Sequence, residues 1–321
     1  MARIGSSLLR PTILHLSEQD WFRRLWRGTR PGRAVASRFV AGESLAEAIA
    51  TSRRLHASGL ASLLDHLGEN VRAPEHAIAA ANAYIGALER IGSEPSIDCA
   101  ISIKLTQLGL ELSRELCLAH VLRILEAADS VGTPVMIDME ASWYVERTLE
   151  IFRQAHVRHP GVGVCLQSYL RRTDRDVFAL PEGCRVRLVK GAYLEEPDVV
   201  LTSKRDVDRN YAGLLATLYA RGHAIDVATH DPKLIEGARR HVQSKSGDWT
   251  RVEFQMLYGI RQDLQRRLAR EGYPVRVYVP YGTEWYPYLT RRLAERPANL
   301  WFFLSNAIRA LPVGSEARSE R

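Results

Sequence analysis

Eight short apolar runs recur along this chain at intervals of about 22 to 40 residues, and helix-like stretches fill the gaps between them. The runs are Ala61–Leu64, Ala100–Leu105, Pro134–Asp138, Val162–Leu166, Arg185–Val189, Ala224–Ala228, Arg251–Leu257 and Val275–Val279. Strands that alternate with helices build a parallel sheet, because each return to the same edge needs a crossover of a dozen or more residues. Eight such units point to a closed (βα)8 barrel of the TIM type, which needs roughly 250 residues. The chain has 321, enough for that barrel and little else. The intervals carry helical patterns over Glu111–Ala128, Ser142–Val157 and Gln262–Glu271. No G-x-G-x-x-G follows the first run, which argues against a Rossmann dinucleotide site.

Before the first run the sequence reads as helices. One is expected over Glu18–Arg27. A second is expected from Ser44 to about Ala57, entered through Gly42-Glu-Ser and left at Gly59. This gives an N-terminal helical arm at 1–57, a barrel at 58–312 and a polar tail at 313–321. After the last run a Pro-Tyr-Gly turn leads into one more helix. Thr283 is the expected N-cap, Pro287 falls in the first turn and Pro297 closes it.

Composition narrows the class. Residues are 46% hydrophobic and 25% charged, and no apolar run reaches the ~20 residues of a membrane span. The four cysteines, Cys99, Cys117, Cys165 and Cys184, form no C-x-x-C pair, so buried thiols in a reducing cytoplasm are the simplest account. A formal charge of +7 is spread along the chain without a Lys-rich block or interleaved aromatic platform, which speaks against nucleic acid. The one basic concentration, Trp21 to Arg30, reads as an amphipathic helix packed on the domain, or as one lying on a membrane surface.

In a barrel, functional groups stand where strands end. Those positions hold Asp65, Lys104, Asp138 with Glu140, Gln167, Arg187 with Lys190, Thr229 with His230, Gln255 and Tyr278. Each alone has an ordinary structural reading. Together they put a polar group at every strand end, which a purely structural barrel does not need. No metal-ligand cluster and no G-x-S-x-G nucleophile stand out. Lys190 in Leu-Val-Lys-Gly fits a Schiff-base lysine, so a barrel aldolase is one reading. A flavin is the other. Its ring needs a cation or donor near N5 and N1 and an amide for its pyrimidine edge, which Arg187, Lys190 and Gln167 supply; the Thr229-His230 end could take the adenylate and pyrophosphate. On the last helix, Tyr288, Arg291, Arg292 and Glu295 share neighbouring parts of one surface, which suits capture of a small carboxylate with an apolar body, or a solvated face.

The chain resembles the monofunctional bacterial proline dehydrogenases and the proline dehydrogenase domain of the bifunctional proline-utilisation enzymes. The resemblance covers about residues 40 to 306. It rests on ordered segments: Leu64 to Glu69, Ile101 to Leu105, Ile137 to Glu140, Gln167 to Tyr169, Arg187-Leu-Val-Lys-Gly-Ala-Tyr193, Ala228 to His230, Glu253 to Gly259, and Tyr278 through Arg291-Arg292 to Glu295. It implies a distorted (βα)8 barrel whose last helix lies over the mouth, with noncovalent FAD that oxidises L-proline to Δ1-pyrroline-5-carboxylate. Arg291 and Arg292 then pair with the substrate carboxylate, Lys104 and Asp138 shape the polar end of the pocket, Tyr278, Tyr288 and Leu257 pack on the ring, and Glu295 braces the arginines. Arg187, Gln167, Lys190, Gly191, Ala192, Thr229, His230 and Gln255 become cofactor contacts. Tyr258 stands where many relatives have His, Tyr193 where some have Trp, and Met139-Glu140 replaces a longer acidic run. The resemblance implies a membrane quinone as electron acceptor and a cytoplasmic protein, with the basic N-terminal helix suited to peripheral contact at the inner face of the plasma membrane. The alternative within the same fold is hydroxyproline oxidation, which the bulk of Tyr288 disfavours.

Overall fold

The computed structural model describes residues 36–245 and 247–295, without the side chains of 291–295. The expected helix over 18–27, the tail at 313–321 and the side chains of Arg291, Arg292 and Glu295 lie outside the described residues. The chain divides into two compact units, Ala41–Thr283 and a second formed by Met1–Val40 with Glu284–Arg321.

The first unit is a closed barrel of eight parallel strands in sequence order, with the first paired to the last. The strands are β1 Ala61–His66, β2 Cys99–Ile103, β3 Val135–Ile137, β4 Gly163–Gln167, β5 Arg185–Val189, β6 Ala224–Ala228, β7 Val252–Leu257 and β8 Val275–Tyr281. Helix α1, Leu45–His56, precedes β1. The crossovers are α2 Pro74–Gly92, α3 Arg114–Val131, a 3-10 turn Ser142–Tyr144 running into α4 Val145–Arg158, α5 Thr173–Phe178, α6 Lys204–Ala220, α7 Pro232–Lys245 and α8 Gln262–Arg270. In the second unit, α9 spans Trp285–Glu295.

All eight strands fall on the runs read from sequence, because the faces that strands turn toward the helices stay apolar. On β7 that face is Val252, Phe254 and Met256, all buried. The ends differ where the other face becomes polar. The apolar run stops at Leu64, yet β1 continues through Asp65 and His66, paired with Pro280 and Tyr281 of β8. The expected Pro-Tyr-Gly turn is accordingly shifted. Pro280 and Tyr281 are strand, and the Pro280 carbonyl accepts from the Ala41 N–H at 2.9 Å, so the missing proline N–H breaks nothing. Gly282, at φ +121°, begins the turn, which continues through Thr283 and Glu284. Helix α9 starts at Trp285, so its cap position is one residue beyond Thr283.

The barrel interior is layered. Leu63, Ala100 and Met136, with Tyr278 packed on them, form a small apolar plug apart from the main core. Leu63 is level with both Ala100 and Tyr278 in the strand register. Two residues further along, the inward positions are Asp65, Ser102 and Asp138, so polar chemistry begins one layer above the plug. The main core lies between the strands and their helices, with Tyr84, Phe152, Tyr211 and Phe254 among its fully buried side chains. Cys99, Cys117, Cys165 and Cys184 are buried and unlinked.

Helix α1 starts where the sequence places it. Ser44 Oγ accepts from the Glu47 N–H at 3.3 Å, and Glu47 Oε2 accepts from the Ser44 N–H at 3.0 Å, closing a capping box. Ser44→Ala removes one arm and should lower stability by about 1 kcal/mol. Urea unfolding measures this; an unchanged midpoint would mean that the box holds nothing beyond what water replaces.

Candidate active site in the barrel

Asp138, at the C-terminal end of β3, gathers four donors. Its Oδ1 accepts from Arg187 Nη1 at 2.6 Å and from Ser102 Oγ at 2.6 Å. Its Oδ2 accepts from the Tyr278 hydroxyl at 2.7 Å and lies 3.3 Å from Lys104 Nζ. Lys104 also pairs with Asp65 Oδ1 and comes within 3.4 Å of the Tyr278 oxygen. These groups come from β1, β2, β3, β5 and β8, and parallel closure brings them to one level.

Burial sets the electrostatics. Relative exposure is 6% for Lys104, 9% for Asp138 and 3% for Arg187, so water screens little. Burial alone would push the Asp138 carboxyl up; Lys104 and Arg187, with the Ser102 and Tyr278 hydrogen bonds, hold it below its ordinary value. Burial alone would lower Lys104; the fields of Asp65, Tyr278 and Asp138 raise it well above. The Tyr278 hydroxyl is driven well above its ordinary value by burial and by both aspartates, so it stays a donor. Lys104, Arg187 and Asp138 are thus held ionised in the interior. Such a group adds little net stability, but deleting one partner costs about 3–5 kcal/mol because it strands a buried charge.

Arg187 is anchored twice more. Nε donates to Gln255 Oε1 at 2.7 Å, and Nη1 also reaches Ser102 Oγ at 3.1 Å. Its Nη2 is buried with no hydrogen-bond partner, and so is Asp65 Oδ2. A donor and an acceptor without partners in one buried polar layer fit a bound polar ligand. The residue set therefore suits the electron-rich edge of a flavin, with Arg187 Nη2 the donor on offer.

The remaining sequence candidates surround this cluster at the strand ends. Gln167 Nε2 donates to the Glu140 carbonyl at 2.9 Å, which fixes the direction of its amide. Gly191, at φ +123°, has no room for a Cβ, which would overlap the Tyr169 ring. His230 Nε2 accepts from the Leu257 N–H at 2.9 Å, so the imidazole proton sits on Nδ1. Thr229 Oγ1 accepts from the Asp231 N–H at 3.1 Å. Ala192 and Leu257 are half-buried. Lys190 belongs to a different group: it donates to Asp208 at 2.6 Å and Asp231 at 2.9 Å, and Lys204 bonds the same two carboxylates. An Nζ bonded to two carboxylates is not left open to a carbonyl substrate as a Schiff-base aldolase needs. Tyr288 is buried on α9.

Asp65, named among the strand-end groups without a role, is Lys104's direct counter-ion. Two further participants were not named there. Ser102 and Glu253 lie two residues before Lys104 and Gln255, on the same face of their strands, and period-two alternation from those residues would have found them.

The profile of the proline dehydrogenase family matches residues 48–304. The chain belongs to the proline dehydrogenase family. It is 39% identical over 305 residues to proline dehydrogenase 1 of Bacillus subtilis subsp. natto, covering 94% of this chain and 100% of that one. It is 39% identical over 308 residues to the proline dehydrogenase of Deinococcus radiodurans, covering 94% and 95%. A solved structure of proline utilization A from Bdellovibrio bacteriovorus shares the fold, with TM-score 0.78 and 24% identity over 87% of this chain and 34% of that one. This dehydrogenase is thus an oxidoreductase of proline catabolism built on the eight-stranded barrel. Among its described residues no helix is long and apolar enough to cross a membrane.

A buried acid, Glu140, gives the dehydrogenase a pH signature. Glu140 accepts from the Thr106 N–H at 3.0 Å and pairs with the Thr106 hydroxyl at 2.5 Å. Burial pushes its carboxyl up to about 7, against 4.5 ordinarily. Between those values the folded chain holds a proton on Glu140 that the unfolded chain has released, so the contribution of Glu140 to stability is greatest below about pH 4.5 and falls as pH rises to about 7. Glu140→Gln can keep both Thr106 contacts without ionising. It should remove the Glu140 share of the decline, leaving that of the buried Asp226, whose carboxyl burial raises to about 6, and exceed the wild type at pH 8 by about 1–3 kcal/mol. Urea unfolding across pH checks this; equal slopes for the two proteins would show that Glu140 is ionised in the folded state throughout.

Proposed function

We propose that this chain oxidises L-proline to Δ1-pyrroline-5-carboxylate with noncovalently bound FAD. The observation that carries the reading is the buried Arg187 Nη2, a cationic donor with no partner, fixed in the same cluster as Lys104 and Asp138. When bound, FAD supplies the acceptor for a hydride. Arg187 would hold the electron-rich edge of the ring, Gln167 its amide edge, and Gly191, Ala192, Thr229, His230, Lys190 and Gln255 the surrounding contacts.

The protein's part is then binding and orientation. Arg291 and Arg292 would pair with the substrate carboxylate, Glu295 would brace the arginine pair, and Lys104 with Asp138 would shape the polar end of the pocket; two guanidinium forks fix the direction of one carboxylate. Tyr278, Tyr288 and Leu257 pack against the ring. Asp138 keeps Lys104 charged and the Tyr278 hydroxyl turned inward. Held this way, a neutral proline presents its C5–H to the acceptor. The nitrogen lone pair forms the C=N bond as C5 loses its hydride, and departure of the nitrogen proton then leaves the neutral imine. Rate comes mainly from positioning. Electrons would pass on to a membrane quinone, with the protein cytoplasmic and in peripheral contact with the inner face of the plasma membrane through its basic N-terminal segment.

The test has two arms. Acid or heat denaturation of the purified protein should release free FAD, and L-proline should bleach the bound flavin in the native protein. A protein that takes up no FAD would refute the cofactor, and flavin that stays with the pellet would refute its noncovalent attachment. Arg291→Ala or Arg292→Ala should lower kcat/KM for proline roughly 30- to 1000-fold, about 2–4 kcal/mol, with FAD content unchanged. Wild-type kinetics in both variants would return the pair to an ordinary charged helix face.

A further inference from the structure

Arg187 is aimed by a chain of hydrogen bonds that begins on the far side of β7. A guanidinium is a rigid planar fork, so fixing two of its nitrogens dictates where the third points. Nη1 is fixed by Asp138 and Ser102, and Nε by Gln255, which leaves Nη2 directed at the position without a partner. Of these anchors only Gln255 can face the wrong way. The two ends of its amide are nearly the same shape, and the NH2 end would oppose one donor to another. What fixes its direction is Glu253, two residues earlier on the same strand. Glu253 Oε1 accepts from Gln255 Nε2 at 2.9 Å. The same oxygen accepts from Arg276 Nε at 2.9 Å, and Arg276 is tied in turn to Asp98 Oδ1 at 2.8 Å and to the Ser62 carbonyl at 2.9 Å. With its NH2 held by a carboxylate, Gln255 can show Arg187 only its oxygen.

We propose that Glu253 is a positioning residue of the dehydrogenase, which acts through Gln255 to set the direction of the Arg187 guanidinium toward the cofactor. The proposal rests on the reading that Arg187 faces bound FAD. The ordinary alternative is that Glu253 serves only as counter-ion to Arg276 near the N-terminal end of the barrel.

The two roles separate in the holoenzyme. Glu253→Met keeps bulk and removes the acceptor. Positioning predicts a fall in kcat of roughly 10- to 100-fold, the cost of a misplaced group in a site that works by orientation, with KM for proline changed by less than about threefold. It also predicts a more negative flavin midpoint potential. Loss of a carboxylate by itself would make the potential more positive, so a fall reports the displaced arginine. Gln255→Met should reproduce both changes while leaving the Glu253–Arg276 pair intact, and it decides the matter if Glu253→Met does not fold. Combining Glu253→Met with Gln255→Glu should recover kcat and the visible flavin spectrum, because a carboxylate at 255 offers Arg187 an acceptor whichever way it turns. A counter-ion role would not be rescued, since the Glu253 carboxylate is still missing from beside Arg276 Nε. Wild-type potential and kcat in Gln255→Met, or failure of the double substitution to recover what Glu253→Met lost, would overturn the proposal. A wild-type chain that takes up no FAD would overturn the reading beneath it, and the relay with it.

Discussion

A carboxylate in a barrel interior is tolerable only if cations meet it, and here one carboxylate sets the arrangement of the whole polar layer. Asp138 holds Arg187 with one oxygen and faces Lys104 and Tyr278 with the other. Each of those groups is buried and would be costly alone. The cluster is therefore mutually dependent: Lys104 stays charged because two aspartates face it, and Asp138 stays ionised because two cations face it. That dependence is the physical form of preorganisation. The cationic groups are fixed in advance of any ligand, and no solvent needs to reorganise around them.

The layers beneath explain why the cluster sits where it does. The apolar plug of Leu63, Ala100 and Met136 closes the barrel just under the polar groups. Below it, Arg276 and Glu253 join a second charged layer. Gln255 links the two layers, bonded to Glu253 on one side and Arg187 on the other. Strand alternation produces this link directly, since Glu253 and Gln255 point the same way along β7. Lys190, by contrast, is held with Lys204 between Asp208 of α6 and Asp231 of the loop beyond β6, outside the Asp138 network.

The barrel was legible in the sequence because helix-facing strand residues must be apolar whatever the interior does, and that constraint left eight readable runs. The runs ended early at Leu64 and at Val279 because apolarity stops where the interior becomes polar, while the backbone ladder continues through His66 and Tyr281. Strand-end position likewise picked out Lys104, Asp138, Arg187, Gln255 and Tyr278, which the fold brings into one network. It could not say who bonds to whom. Tyr278 and Asp138 are 140 residues apart, and Arg187 and Ser102 are 85 apart; closure of the barrel, not local pattern, makes them neighbours. Ser102 and Glu253 escaped notice because a serine or a glutamate inside a strand run looks like a solvent-facing residue unless the strand is known to be enclosed. The roles of Arg291, Arg292 and Glu295 rest on the sequence motif.

If Asp138 organises the layer, removing its charge while keeping its shape must disable the layer's function without dismantling the barrel. Asp138→Asn places an NH2 among donors from Arg187, Lys104 and Tyr278, so at least one of them loses its acceptor. The decisive measurement is the rate at which L-proline bleaches enzyme-bound flavin under anaerobic rapid mixing, wild type against Asp138→Asn at equal FAD content. Bleaching slowed by at least about tenfold, in a protein whose circular dichroism matches the wild type, is the predicted result. Bleaching at the wild-type rate would contradict the account, because the cations would then be held in place by something other than Asp138.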